Sequence, residues 1–180
     1  MPTFANRELA QAINAAAELY SVPEPLIVAV VRVESSGDCA AWNPEPHYRW
    51  LWNCRAGEPY RISIAGAHEK TPPPGFRPPR GLKSENDAEF WGQQASWGPM
   101  QVMGAVAREA GYLGLFPGLC NPHVGVAYGA RFLSTLMRRH KKRYGFAGVM
   151  RAFNTGRATD TPRGAAYVLK IGKHVDLEAL

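Results

Sequence analysis

Apolar residues recur every three or four positions along much of the chain, which is the spacing of amphipathic helices. Near the N-terminus, Leu9, Ile13 and Ala16 share one helical face behind Asn6, a residue type that caps helix starts. We therefore predict a first helix that ends at Tyr20.

The next segment, from Leu26 to Gly37, is an almost unbroken apolar run that ends in a carboxylate, Glu34. By periodicity alone it fits a buried strand nearly as well as a helix. Two flanking signals favour the helix: Ser21 and Glu24 have the spacing of a capping box, and the glycine at the far end can close a helix in the left-handed conformation. We predict a second helix that carries Glu34 at its end.

Glu34 would then lie where a core element meets the surface. Burial at such a position raises the pKa of a carboxyl group by disfavouring its charged form, as a general acid near neutral pH requires. A structural interpretation stays open, in which Glu34 pairs with Arg32 or reaches water.

Four further helices are predicted towards the C-terminus. They run from Pro99 to Ala110, from Asn121 to Arg143, from Phe146 to Asn154 and from Thr161 to Ile171. With the first two they make six helices and leave no convincing sheet, so we expect an all-α fold.

Between about residues 40 and 95 the periodicity fades, and prolines and aromatic residues crowd together. A stretch of this length inside a compact domain is usually functional or disordered, and its aromatic content favours a packed, functional loop. Within it, the proline tract from Thr71 to Arg80 is interpreted as a stiff surface strap rather than as a ligand for an SH3-like partner.

The chain has 180 residues, of which 46% are hydrophobic and 20% charged, as is ordinary for one globular domain. We therefore treat residues 1–180 as a single domain. The net charge of +6 implies an anionic partner, which could be nucleic acid, a membrane surface or a cell-wall polymer. The basic run from Arg138 to Arg143 is interpreted as a solvated helix end, with wall or nucleic-acid binding as the alternative.

The spacing of the three cysteines does not indicate a metal or cofactor site. Cys39, Cys54 and Cys120 show no C-x-x-C spacing, so neither a disulfide framework nor a zinc site is indicated, and we expect no metal and no cofactor. The N-terminal residues do not resemble a signal peptide, and no apolar run approaches the length of a membrane span. We expect a soluble chain without membrane insertion, which something else must deliver if it works outside the cytoplasm.

Three separated stretches look like parts of one site. They are Glu34-Ser35-Ser36, then Ser96-Trp97-Gly98-Pro99-Met100-Gln101, then Ala152-Phe153-Asn154-Thr155-Gly156, and Tyr167 follows them. In this order they resemble the motifs of the soluble lytic transglycosylase catalytic domain, whose fold is similar to goose-type lysozyme. The second stretch matches Gly-Leu-Met-Gln with Pro99 in place of leucine, and the third matches Ala-Tyr-Asn-x-Gly with Phe153 in place of tyrosine.

The resemblance implies a lysozyme-like helical domain with a long insertion between its first two motifs. It also implies cleavage of the β-1,4 bond between N-acetylmuramic acid and N-acetylglucosamine in peptidoglycan, with Glu34 as general acid and then base and a 1,6-anhydromuramoyl product. The chain is more similar to phage-borne members, such as endolysins that act on the bacterial cell wall, than to secreted ones. We expect it to act as a monomer on glycan strands.

Supporting roles follow from position in the motifs. Ser96 and Tyr167 are expected to hydrogen-bond Glu34, and Trp97 to offer a stacking face to a sugar. The remaining residues expected to line the cleft are Ser35, Gly98, Met100, Gln101, Phe153 and Asn154. Asp38 is expected to be a polar loop residue rather than a second catalytic carboxylate.

Two other functions stay open at this point. A hydrolysing lysozyme on the same scaffold would need a carboxylate to activate water, and the insertion offers Glu45, Glu69, Glu85 and Asp87. A non-enzymatic basic module is disfavoured, because the charge is not interleaved with a nucleic-acid-reading motif, and we expect no nucleic-acid partner.

Overall fold

The computed structural model describes Phe4, residues 6–60 and residues 71–180. Over these residues the helices are α1 (Arg7–Tyr20), α2 (Glu24–Ser35), α3 (Asn86–Gln93), α4 (Gly104–Glu109), α5 (Pro122–Thr155) and α6 (Pro162–Gly172), with a 3-10 helix at Phe116–Cys120. The strands are β1 (Trp42–Pro44), β2 (Trp52–Asn53), β3 (Glu58–Pro59), β4 (Ala95–Trp97) and β5 (Val102–Met103). The chain is mostly helical as predicted, but the expectation of an all-α fold without a sheet is only partly met, because two small antiparallel sheets are present.

The main core lies among α1, α2, α5 and α6. Both α1 and α6 pack against α5, and α2 packs against α1 and α6. Side chains from all four helices are fully buried there, among them Leu9, Ile27, Leu133 and Ile171. Each such side chain contributes about 1.5–3 kcal/mol by leaving water. This core holds α2 rigidly and so fixes the place of its last turn.

The end of α2 falls where the sequence predicts. Ser36 adopts the left-handed conformation with φ 55°, and its N–H bonds the carbonyl of Arg32. Gly37 follows with φ 89°, a value that L-residues rarely adopt. The helix therefore stops directly after Glu34 and Ser35, which leaves the carboxylate at the helix end.

The long helix α5 contains both of the helices predicted between residues 121 and 154. At Gly145 its backbone is not helical (φ 60°, ψ −171°), so two helical segments meet there. Phe146, Val149 and Met150 beyond this glycine are buried. The kink turns the second segment so that its apolar face meets the core.

The helix predicted from Pro99 begins only at Gly104, and this correction matters for the site. Residues 98–101 form the loop of a hairpin in which Trp97 pairs with Val102. Gly98 has φ +71°, and a Cβ there would lie 2.1 Å from the Leu119 carbonyl oxygen. Gly98 allows this close approach and this left-handed backbone, so the chain can turn tightly here and form a hairpin instead of starting a helix. The hairpin extends into a three-stranded sheet of order β1-β4-β5.

The insertion is packed in the part that the structure describes. Leu51, Phe76 and Phe90 are buried in a second small cluster, against which Tyr60 packs. The proline tract lies on this cluster: the guanidinium of Arg55 donates to the Pro78 carbonyl at 2.8 Å, and several of its prolines are buried. The tract thus packs as the predicted strap, whereas residues 61–70, Glu69 among them, lie outside the described residues.

A buried ion pair joins the insertion to the rest of the domain. Arg108 in α4 makes two hydrogen bonds of 2.8 Å to the carboxylate of Glu89 in α3, and both side chains are at most 3% exposed. Arg108 also donates to the carbonyls of Tyr112 and Gly114 at 2.6 and 2.9 Å. Removing one partner of such a pair typically costs about 3–5 kcal/mol. The sequence offers no local signal for this pairing.

Three further findings bear on what the chain can bind. Cys39, Cys54 and Cys120 are free thiols. Across residues 6–60 and 71–180 there is no group of three metal-ligating side chains. Nor does any helix in this part of the chain have both the length and the apolar character needed to cross a membrane.

Candidate active site

The site is built around Glu34 at the end of α2. Its carboxylate is largely surrounded by protein, and this burial raises its pKa. Three groups on α6 oppose the rise: a hydrogen bond from Tyr167 and the positive charges of Lys170 and Arg163. Desolvation is the larger effect, so the protonated form persists to higher pH than in an exposed glutamate.

Tyr167 holds this carboxyl group in place, as the sequence predicts. Its hydroxyl donates to Glu34 Oε1 at 2.6 Å, and its ring is 5% exposed. Burial and the neighbouring carboxylate raise the pKa of the Tyr167 phenol, so it remains a donor over the whole working range. With Oε1 occupied, a proton on the carboxyl group resides on Oε2.

Ser35 connects the end of α2 to the hairpin loop by a hydrogen bond. Its hydroxyl lies 2.8 Å from the Pro99 carbonyl and 3.1 Å from that of Val31, and it accepts from the Gly37 N–H at 3.1 Å. The Ser35 hydroxyl thus makes its hydrogen bonds to protein groups instead of to a substrate. The residue was expected to touch substrate, but here it positions Glu34 relative to the loop.

Gln101 closes the hairpin loop from inside. Its amide nitrogen donates to the carbonyls of Ala41 and Gly98 at 3.1 and 2.9 Å. Its amide oxygen accepts from the Ser96 hydroxyl at 2.9 Å. Ser96 therefore bonds Gln101 rather than Glu34, which corrects its expected role.

Met100 belongs to the core rather than to the cleft. Its side chain is fully buried, and a Cβ on Gly129 in α5 would lie 2.4 Å from its sulfur. The expectation that Met100 lines the cleft is wrong for this reason. Its position anchors the hairpin loop against α5.

Trp97 was chosen from the sequence as the stacking face, but both of its own faces are covered. It lies between Trp42 and Phe116, with ring centroids 5.9 Å away on each side and planes 21° and 15° apart. The outer ring, Trp42, is 58% exposed. The free aromatic face therefore belongs to Trp42, which β1 places beside β4 by pairing with Trp97.

The third motif reaches Glu34 through aromatic contacts. Phe153, near the end of α5, stacks on Tyr167 with centroids 6.4 Å apart and 19° between the planes. The next residue, Asn154, accepts a 3.3 Å hydrogen bond from the Arg163 guanidinium. All four sequence elements, the three motifs and Tyr167, therefore meet at the end of α2.

Sequence reasoning missed Arg163 and Lys170, although a signal was present. They lie four residues before and three residues after Tyr167, so all three share one face of α6. Once Tyr167 is assigned to Glu34, its helical neighbours on that face follow. Trp42 had no comparable local signal, because its place depends on strand pairing.

The other acidic residues have local partners or lie apart. Asp38 lies beyond the left-handed turn and accepts from the Ala40 N–H at 2.9 Å, which is the expected loop role. Glu45 accepts from the Asn43 amide at 2.8 Å. Glu85 and Asp87 are exposed at the start of α3. In the part of the chain that the structure describes, Glu34 is thus the carboxyl group of the site, and its raised pKa suits it to donating a proton to a leaving oxygen.

No protein-family model matches this chain, no curated protein matches it, and no solved structure matches it.

Proposed function

We propose that this chain is a peptidoglycan lytic transglycosylase with a lysozyme-like fold, and that Glu34 is its catalytic acid and base. One observation carries the proposal: the end of α2 presents a half-buried carboxyl group that accepts a 2.6 Å hydrogen bond from Tyr167. The other motifs meet it there, the second through the Ser35 bond to Pro99 and the third through Phe153. The motif resemblance supports the same assignment independently.

In the first step, protonated Glu34 donates its proton to the oxygen that links muramic acid to the next sugar. The bond from the anomeric carbon to that oxygen breaks, and the N-acetyl carbonyl oxygen of muramic acid assists from the opposite side. Burial favours this step because it raises the pKa of the carboxyl group and so increases its protonated fraction at a given pH. The Tyr167 bond holds one carboxyl oxygen and leaves the other free to donate.

In the second step, the muramoyl 6-hydroxyl attacks the anomeric carbon, the bond that the N-acetyl oxygen formed to that carbon breaks, and the Glu34 carboxylate takes the hydroxyl proton. Glu34 is then protonated again, and no water has been consumed. The donor bond from Tyr167 and the charges of Arg163 and Lys170 stabilise the carboxylate between the steps. One group thus acts in turn as acid and base.

Trp42 and Asn154 are the proposed sugar contacts. The exposed face of Trp42 suits the apolar face of a sugar ring. Its neighbour Ala41 accepts hydrogen bonds from Gly98 and Gln101 in the hairpin loop, which Ser35 joins to the end of α2. The partner is the glycan strand of the bacterial wall, and a phage-borne enzyme delivered to the wall fits the proposal.

The test is Glu34→Gln, which keeps the side-chain volume and removes the proton donor. Lysis of a peptidoglycan suspension should fall by orders of magnitude, with circular dichroism and melting little changed. Two controls match it: Glu18→Gln changes an exposed glutamate of α1, and Asp38→Asn keeps the loop hydrogen bond to Ala40. Both should lyse the suspension at close to the parent rate. Retained lysis in Glu34→Gln would remove Glu34 from the mechanism.

A further inference from the structure

Apart from the candidate active site, a pocket is lined by residues of α4, of α5 and of the end of α1. Its volume is about 320 Å³, and three arginines line it: Arg131, Arg138 and Arg139. Among the described residues that line it, Glu109 is the one carboxylate, so three positive charges face one negative charge there. The excess of positive charge points to an anionic ligand.

The arginines are arranged for binding rather than for internal pairing. Arg138 is held by two hydroxyl groups of its own helix, Ser134 Oγ at 3.1 Å and Thr135 Oγ1 at 3.0 Å. Arg131 and Arg139 form no ion pair with any carboxylate of residues 6–60 or 71–180. A guanidinium held by neutral hydroxyls keeps its charge for a ligand and loses less freedom on binding.

Packed aromatic rings connect one wall of the pocket to the candidate active site. Phe132 lines the pocket and packs on Phe153 with centroids 5.5 Å apart. Phe153 in turn stacks on Tyr167, which bonds Glu34. Three successive contacts therefore link the wall of the pocket to Glu34: Phe132 to Phe153, Phe153 to Tyr167, and Tyr167 to Glu34.

We propose that this pocket binds the carboxylate groups of the peptides attached to muramic acid while the glycan strand passes Glu34. This inference rests on the proposed function. Arginine suits it because its planar group binds a carboxylate with two parallel hydrogen bonds. Tyr20, Val106 and Ala110 add apolar wall that small aliphatic amino-acid side chains can contact.

A nucleic-acid backbone fits the pocket less well. Phosphate recognition uses cations that follow the backbone along an open surface. Here Glu109 and apolar side chains share the pocket with the arginines, and a continuous phosphate chain would meet that carboxylate. The peptide carboxylates are separated by apolar groups and match this mixture.

The test measures binding in a Glu34→Gln background, so that the wall is not consumed. Variants are sedimented with insoluble peptidoglycan and with the same material after enzymatic removal of its peptides. Arg138→Gln and Arg139→Gln should bind the peptide-bearing wall about tenfold more weakly. On stripped strands they should match the Glu34→Gln parent. Arg139→Lys, which keeps the charge but loses the bidentate group, should fall between.

The control is Lys142→Gln, an exposed residue of the same helix outside the pocket, which removes the same charge. Equal losses on both materials, no loss on either, or an equal loss in Lys142→Gln would overturn the inference. The inference would also be overturned if duplex DNA displaced the parent protein from the wall but did not displace the arginine variants. The protein with Glu34 intact separates the two proposals. If it cleaves neither material, but the variants still bind the peptide-bearing wall more weakly than the parent does, then the proposed activity is wrong and the proposed binding site is supported.

Discussion

Replacing Tyr167 by phenylalanine isolates the hydrogen bond that orients Glu34. The substitution keeps the ring that stacks on Phe153 and removes only the hydroxyl that lies 2.6 Å from Glu34 Oε1. A hydrogen bond to a charged group is worth about 1.5–3 kcal/mol, and one to a neutral group about 1 kcal/mol. The variant should therefore lose more stability above the pKa of Glu34 than below it.

The same bond sets a direction for the pH profile. It favours the charged carboxylate and so lowers the pKa of Glu34, and its removal must raise that pKa. Because catalysis needs the protonated form, the fall in rate at high pH should move to higher pH in Tyr167→Phe. The rate at low pH should fall by up to about 100-fold, since the carboxyl group loses its fixed orientation. The ratio of variant to parent rate should thus rise with pH.

Tyr112→Phe is the matched control. Its hydroxyl also donates at 2.6 Å, to the Leu115 carbonyl, and the residue is also buried. It should lose about 1 kcal/mol at all pH values below the range of tyrosine titration, with an unshifted rate profile. The assay is initial lysis rate from acid to alkaline pH, with melting followed in the same buffers. A profile that moves to lower pH in Tyr167→Phe, or that moves equally in Tyr112→Phe, would refute the reasoning.

Two further predictions test the hairpin and the stacking face. Gly98→Ala should destabilise the protein by more than about 3 kcal/mol. The new Cβ would clash with the Leu119 carbonyl oxygen, and alanine would be strained at the φ of +71°. Gly57→Ala has the same φ with no neighbour within 4 Å, so denaturant unfolding should show a loss of only about 1 kcal/mol. Trp42→Ala should raise KM for soluble glycan fragments with a stability loss of about 1 kcal/mol, whereas Trp50→Ala, at a 75% exposed position, should leave KM unchanged. An unchanged KM in the Trp42 variant would remove that ring from the substrate path.

Helix positions could be predicted where the signals are local. The second helix has its apolar run and its left-handed end within one short stretch, and these place Glu34 correctly. The same is true of the last helix, where Thr161 accepts from the Gly164 N–H as a cap. The capping box predicted for the second helix does not form, because Ser21 ends α1 and Pro23 precedes α2 without a side-chain cap. Local signals also explain the error at Pro99. Proline suits a helix start, but here Gly98 approaches the Leu119 carbonyl closely and the strands pair across the loop.

The partners of the site residues depend on contacts between distant parts of the chain. Ser96 donates its hydrogen bond to Gln101 instead of Glu34, because the Gln101 side chain folds back over the loop. Met100 packs into the core because Gly129 of α5 has no side chain and leaves room for it. Likewise α3 is a short helix whose place is set by the pairing of Glu89 with Arg108. Such pairings carry no periodic signal, so only the three-dimensional arrangement reveals them.

The measurement that tests the central claim most directly is the mass of the products released from purified peptidoglycan. If Glu34 serves as acid and then base without water, the muropeptides end in 1,6-anhydromuramic acid, lighter by one water than hydrolysis products and without a reducing end. Mass spectrometry of a complete digest, repeated after borohydride reduction, distinguishes the two ends, because only a reducing end gains hydrogen. We expect products that lack one water and resist reduction. Predominantly reducible products that contain the water would contradict the transglycosylase and leave a hydrolysing lysozyme.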